Sequence, residues 1–183
     1  YCGLGRPTLC DDRRLMGGRI DGGWTEFVSV PARNVHPLPE GIDSAVAPLL
    51  APLSVAVHAV VERVPVKSGD VVAVIGAGPI GLLCAVLALA AGASKVMVTG
   101  VAADRGRLAM ARSIGAVPVD IDAEDPLAAL RSLQSDGADI VYETSGVAAT
   151  LEQAVAMARR GGSVGLIGLC HGPSTLRSTP VVL

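Results

Sequence analysis

Val71-Val-Ala-Val-Ile-Gly76-Ala77-Gly78-Pro79-Ile80-Gly81 is the stretch whose reading decides the fold. An unbroken apolar run, mostly β-branched, reads as a strand buried on both faces of a sheet. A Gly-x-Gly-x-x-Gly turn follows it directly, and the apolar pattern then continues over 79–91 with the length of a helix. In such a turn Gly76 permits the sharp change of direction, Gly78 lets the backbone approach a pyrophosphate, and Gly81 lets helix and strand pack closely. Pro79 fits the first helical turn, where its missing N–H is not needed. Together with Ala77 and Ile80 these residues set the free N–H groups of a helix N-terminus against a phosphate. The glycine pattern alone also fits a turn in any α/β protein. The strand before it, the helix after it and the β–α units that follow make it a dinucleotide-binding signal.

Working outward, the same alternation continues. Strands are expected over 95–99, 117–119, 139–143 and 164–167. Helices are expected over 104–114, 125–134 and 148–160, the first ended by Gly115 and the last by Gly161 and Gly162. This is the pattern of an α/β, Rossmann-type doubly wound parallel sheet, and right-handed crossovers give the order 3-2-1-4-5. A sixth strand is expected to be cut off at Val181, Val182 and Leu183, and with no initiator Met the chain reads as an internal fragment. Before residue 40 the sequence is rich in Gly, Arg and Pro, and the alternating run over 24–30 predicts small antiparallel strands. Asp43 or Ser44 can cap a helix from near Ala45 to about Arg63, with a break at Pro48 and Pro52. The expected organisation is a lobe over 1–43, a connecting helix over 44–66 and a nucleotide domain over 67–183.

Composition narrows the function classes. Half of the 183 residues are hydrophobic and only 2% aromatic, so the core must be built from Ala, Val, Leu and Ile. Fifteen basic against 17 acidic residues, with no basic run, argue against a nucleic-acid partner. The uncharged stretches 71–93 and 44–61 are long enough to cross a bilayer. In 71–93, however, Gly76, Gly78, Pro79 and Gly81 break any single helix, so no membrane association is expected. Four cysteines at uneven spacing are no disulfide framework, and a reducing cytoplasm is the expected location.

The end of the second strand bears on cofactor choice. Folds that prefer NAD place an acidic residue there, on the adenosine ribose hydroxyls. Here the residue is Gly100, which leaves room and carries no charge to repel a 2′-phosphate, and Arg105 and Arg107 follow closely. This favours NADP over NAD. The other reading has Asp104 capping the next helix and both arginines merely solvated.

Several segments together resemble the zinc-containing medium-chain alcohol and polyol dehydrogenases, in particular the sorbitol and threonine dehydrogenase branch. They are Cys2-x7-Cys10, Gly22-Gly23-Trp24-Thr25-Glu26-Phe27-Val28, Pro52-Leu53-Ser54-Val55-Ala56-Val57-His58-Ala59, the turn from Gly76 to Gly81, and Glu143-Thr144-Ser145-Gly146. The resemblance covers nearly the whole chain. It implies that 1–43 is part of a GroES-like β lobe. It also implies that Cys2 and Cys10 are the last two of four cysteines holding a structural zinc. Thr144, Ser145, Gly146, Ile167, Gly168 and Leu169 would then line the nicotinamide end of the cleft, holding the ring by backbone groups. The ligands of a second, catalytic zinc would lie upstream of Tyr1. Where the family has a Glu before its Pro-Leu-Ser-Val motif, this chain has Ala51, which can neither coordinate nor hydrogen-bond.

The implied activity is hydride transfer between NAD(P) and a secondary alcohol, polyol or the corresponding ketone held on zinc, in a protein that is a homo-oligomer when intact. The alternatives are a zinc-free NADP-dependent reductase of the same fold and a non-catalytic dinucleotide-binding module. His58 is expected to pack and Cys84 to fill the core. Cys170 and His171 read as a loop near the cofactor in preference to a metal pair.

Overall fold

The computed structural model describes residues 1–170 and 172–176; His171 and the expected sixth strand at Val181, Val182 and Leu183 lie outside them. The chain divides into two compact units, Tyr1–Asp43 and Ser44–Leu183.

In the second unit α1 (Leu50–Val57) is preceded by a 3-10 turn, Ala47–Leu49, with Val46 as its N-cap, and runs on into a π-helical turn, His58–Arg63. Then come β1 (Val71–Ile75), α2 (Pro79–Ala90), β2 (Lys95–Gly100), α3 (Arg105–Ser113), β3 (Val117–Asp120), α4 (Pro126–Leu133), β4 (Ala138–Glu143), α5 (Thr150–Met157) and β5 (Ala158–Leu166). The five strands form one parallel sheet in the order β3-β2-β1-β4-β5, as the alternation of the sequence predicts.

Period-two geometry divides the strand side chains between two cores. Val72, Val74, Val96, Val98, Ile140 and Tyr142 pack with Ala56, Val60, Cys84, Ala85, Ala88, Leu108 and Ala111 from α1, the π-turn, α2 and α3. Val71, Ala73, Ile75, Met97, Val119 and Val141 pack on the other face with Leu130, Ala154 and Met157 from α4 and α5. Both faces of β1 are thus covered, which is why its sequence is continuously apolar. The small side chains of Cys84, Ala85 and Ala88 let α2 lie close to the sheet, and burial pushes the Cys84 thiol up to about 12. Cys84 is therefore the core residue its sequence position suggests.

Two long-range polar ties fix the sheet. The Tyr142 hydroxyl donates to the Val64 carbonyl, joining β4 to the segment after the π-turn. Asp139 accepts from the Val71 N–H at 2.8 Å, from Arg159 Nε at 2.6 Å and from Gln134 Nε2 at 3.3 Å. Burial alone would raise the Asp139 carboxyl, but the Val71 N–H, the Arg159 guanidinium and Gln134 together hold it below the usual carboxylate range. A carboxyl depressed in the folded state contributes stability above its unfolded pKa, and that contribution is lost as pH falls through the folded value. Asp139→Asn is therefore expected to cost about 1–2 kcal/mol at pH 7, the low side reflecting the partly exposed Arg159. Urea unfolding at pH 7 and pH 3 checks this; a deficit that does not shrink at pH 3 contradicts it.

Two expectations are corrected. The helix over 148–160 ends at Met157, and the last strand begins at Ala158, not near Val164. Gly161 and Gly162 do not stop a helix; they sit in a bulge of β5, where the register jumps from Ala138↔Ala158 to Ile140↔Ser163. Gly162 packs against the carbonyls of Ala138 and Asp139, leaving no room for a side chain.

In the first unit the run over 24–30 forms no strand. Among the described residues, Tyr1–Asp43 contains 3-10 turns at Cys2–Leu4, Pro7–Leu9 and Ala32–Asn34 and a single bridge, Met16↔Ile20. Trp24 and Phe27 are fully or nearly fully exposed. Alternation predicts a strand only where a neighbouring strand supplies hydrogen bonds and an apolar face to cover, and this unit provides neither.

Candidate dinucleotide-binding site

The carboxyl ends of β1, β2, β4 and β5 bring together nearly all the residues that the sequence assigns to the cofactor. Gly76, directly after β1, has φ +105°, a conformation that favours glycine. A Cβ there would stand 3.1 Å from the Ser145 N–H and from Thr144 Oγ1. Gly78 is the N-cap of α2, in an extended conformation that any residue adopts, and a Cβ on it would meet nothing within 4 Å. Pro79 opens α2, so the first-turn N–H groups of Ile80 and Gly81, beyond Gly78, have no acceptor within the helix. Gly81 lies against the β1 turn so closely that a Cβ would collide with the Gly76 carbonyl. Buried Ala77 packs beneath this turn.

Thr144 fastens the end of β4 to the end of β1: its N–H donates to the Ile75 carbonyl at 2.9 Å and its hydroxyl lies 2.9 Å from the same oxygen. Gly146 (φ +69°) and Gly168 face each other so closely that a Cβ on Gly168 would strike the Gly146 N–H. A Cβ on Gly146 would stand 2.7 Å from the Leu169 carbonyl. The two loops expected at the nicotinamide end, 144–146 and 167–169, are therefore in direct backbone contact. Ser145 and Leu169 are exposed.

Glu143, which the sequence offers only as the first letter of a motif, is the polar centre of this region. It is 4% exposed. Its Oε1 accepts from the Ser145 N–H at 2.8 Å, the Gly146 N–H at 3.1 Å and the Ser145 hydroxyl, with the Thr150 hydroxyl 3.0 Å away. Its backbone carbonyl accepts from both the Ile167 and Gly168 N–H groups at 2.9 Å. The available signal in the sequence is a charged residue directly after the apolar run Ile140-Val141-Tyr142, where a buried strand is expected.

At the end of β2 the arrangement differs from expectation. Gly100 does not leave vacant room: a Cβ on it would stand 3.2–3.3 Å from Ala77, Leu108 and Asp104. The Asp104 side chain does not cap α3; one carboxylate oxygen accepts from the Val101 N–H at 3.4 Å and the other pairs with Arg107 at 2.8 Å. Arg107 is thus held, whereas Arg105 is exposed and forms no ion pair among the described residues.

Residues 79–183 match the model of a protein family described as zinc-binding dehydrogenase. The chain belongs to that family.

Relatives of this dehydrogenase chain agree. It is 38% identical to L-threonine 3-dehydrogenase of Bacillus velezensis, over 97% of this chain and 51% of that protein. It is 34% identical to sorbitol dehydrogenase of Halalkalibacterium halodurans, over 94% of this chain and 50% of that protein. Among solved structures it superposes on a zinc-binding dehydrogenase of Sinorhizobium meliloti 1021 bound to NADP, with a TM-score of 0.90, 32% identity and coverage of 99% of this chain and 54% of that one. It also superposes on an alcohol dehydrogenase from Thermus sp. ATN1, with a TM-score of 0.81, 35% identity and coverage of 90% and 50%. The chain spans about half the length of the curated relatives it matches.

The dehydrogenase chain fits a dinucleotide and a zinc ion unequally. The open space over Gly78 beside an uncapped helix start fits a pyrophosphate. Cys2 and Cys10 lie side by side, and hydrogen bonding to Cys10, with its charge, raises the Cys2 thiol. Two thiols are half of a four-ligand zinc site, and among the described residues no group of three or more His, Cys, Asp or Glu is placed to hold a metal. The zinc set is not completed here. Ala51 is exposed in the first turn of α1. His58 does not pack in the core as expected; it is exposed and bonded to Glu62 at 2.7 Å, the i,i+4 neighbour that the helical spiral puts within reach. Cys170 is exposed.

Proposed function

We propose that this chain is the cofactor-binding portion, with part of the metal-bearing lobe over 1–43, of an NADP(H)-dependent zinc dehydrogenase that interconverts a secondary alcohol or polyol with its ketone. The observation that carries the reading is the strand, glycine turn and helix at β1 and α2, with clear space over Gly78. The pyrophosphate would lie over Gly78, Pro79 and Ile80, Gly76 and Gly81 supporting the turn. The nicotinamide would lie toward Thr144, Ser145, Gly146, Ile167, Gly168 and Leu169. When bound, the nicotinamide accepts or gives up the hydride, and the protein supplies orientation and exclusion of water. Zinc, as a Lewis acid, would be held mostly by residues outside this chain, with Cys2 and Cys10 contributing to the structural site. Ala51, which cannot ligate a metal, favours as second reading a zinc-free NADP-dependent reductase of the same fold. Unpaired thiols at Cys2, Cys10, Cys84 and Cys170 fit a reducing cytoplasm, and we place the intact protein there as a homo-oligomer. Among the described residues no helix is long and apolar enough to cross a membrane.

The preference for NADP(H) rests on the lack of charge at Gly100, on the exposed Arg105 and on the pairing of Asp104 with Arg107, which offsets one of the carboxylates at the carboxyl end of β2. Each charge-assisted hydrogen bond to a phosphate contributes about 1.5–3 kcal/mol, so Arg105→Ala is expected to weaken NADP binding roughly tenfold to a hundredfold and NAD binding little. Arg107→Ala removes the partner of Asp104 and is expected to act in the same direction through the carboxylate it leaves unpaired. Calorimetric titration with NADP and NAD at low and moderate salt tests the proposal. Equal affinities in the unmodified protein, or an NAD preference that neither substitution moves, would refute the cofactor choice, and no binding of either would refute the function.

A further inference from the structure

We infer that Glu143 is a positioning residue that holds the two loops of the nicotinamide end in register; this rests on the dinucleotide reading above. The argument begins from its isolation. Its carboxylate is buried, yet no ion pair with a Lys, Arg or His involves it among the described residues. A buried carboxylate is costly unless donors satisfy it, and here the donors are the chain itself. The successive N–H groups of Ser145 and Gly146 form a small anion-binding concavity of the kind that elsewhere receives a phosphate oxygen, and Oε1 fills it from within. Because a trans peptide points its C=O opposite to its N–H, this fixes the Thr144 and Ser145 carbonyls facing away from the carboxylate.

The same residue holds the second loop through its main chain, the carbonyl accepting from Ile167 and Gly168. The Glu143 Oε2 lies directly against Gly168, where a Cβ would strike it. One residue thus touches 145–146 with its side chain and 167–168 with its backbone, and the contact between Gly146 and Gly168 closes the triangle. Ring orientation decides whether a hydride can transfer, and a displacement of about 1 Å in such groups costs on the order of a hundredfold in rate. A carboxylate gripping the loop from behind can set that orientation without touching the cofactor.

A residue acting on the nicotinamide end alone must leave the adenosine end untouched, and this gives the test. Glu143→Gln in the full 183-residue chain is titrated with NADPH and NADH, and with adenosine 2′,5′-bisphosphate and ADP, which lack the nicotinamide. The expected result is a tenfold or greater loss for the nicotinamide-bearing probes, with the fragments within twofold of the unmodified protein. The fluorescence change that accompanies immobilisation of the reduced ring is expected to disappear. Unchanged affinity for all four, or an equal loss for all four, would overturn the inference. A second measurement needs no variant: the Ser145 and Gly146 amides should exchange with deuterium at least tenfold more slowly than the amide of neighbouring Ala148, and fast exchange at both would also overturn it. If the unmodified protein binds none of the four probes, it is the dinucleotide reading that fails, which the amide measurement separates from the role of Glu143.

Discussion

Gly78→Val is expected to lower dinucleotide affinity at least a hundredfold while leaving the fold intact. The backbone at this N-cap has φ −69° and ψ 174°, ordinary extended values that Val adopts freely. Its side chain would meet no protein atom within 4 Å at Cβ, so no overpacking opposes the change. Losing Gly at an N-cap costs the helix about 1 kcal/mol at most. The same Cβ and its methyls would occupy the space into which a pyrophosphate must come to reach the first-turn N–H groups of α2. Losing two charge-assisted hydrogen bonds of about 1.5–3 kcal/mol each corresponds to roughly a hundredfold or more in Kd. Calorimetry with NADPH and a thermal melt of the same sample check both halves. Unchanged affinity would show that the glycine turn is not the phosphate site.

Gly81→Ala is expected to do the opposite: destabilise the fold by about 3 kcal/mol. Alanine ordinarily favours a helix interior over glycine by about 1 kcal/mol, so propensity alone predicts a small gain. Here a Cβ would collide with the Gly76 carbonyl and stand 2.7 Å from Thr144 Oγ1, so α2 must move away from β1 and the turn must open. Overpacking of this kind costs about 1–3 kcal/mol, and lost hydrogen bonds between Thr144 and the end of β1 add to it. For a domain of this size the loss corresponds to a fall in Tm of roughly 6–12 °C. An unchanged or higher Tm would contradict the close approach of helix and strand.

Those two glycines show how far the sequence carries. The strand β1 falls on the residues predicted, and the sharp turn at Gly76 and the close packing at Gly81 follow from the motif in its setting of strand and helix. The order of the sheet follows as well, since each crossover has one favoured hand. The errors share one cause. The run over 24–30 has the period of a strand but no partner, His58 has an apolar helix around it but projects outward to Glu62, and Gly161 and Gly162 look like a helix stop but serve a bulge. In each case the local pattern is real, but its use depends on what the folded chain sets beside it. Arg107 belongs with these in part, since the three-residue spacing allows its pairing with Asp104 but does not say that Asp104 turns back toward Gly100.

By itself the sequence determined the class of fold, the strand order and the place of the glycine turn, because apolar period, glycine freedom and helix starts are properties of a few adjacent residues. Only the tertiary structure decided that Gly100 is crowded, that Asp104 holds Arg107, and that Glu143 joins loops 144–146 and 167–169. Those depend on distances between segments brought together by the parallel sheet, where β1, β4 and β5 are neighbours in space though dozens of residues apart in the chain. A buried carboxylate declares its purpose only when its donors are seen, and here the donors come from the folded backbone itself.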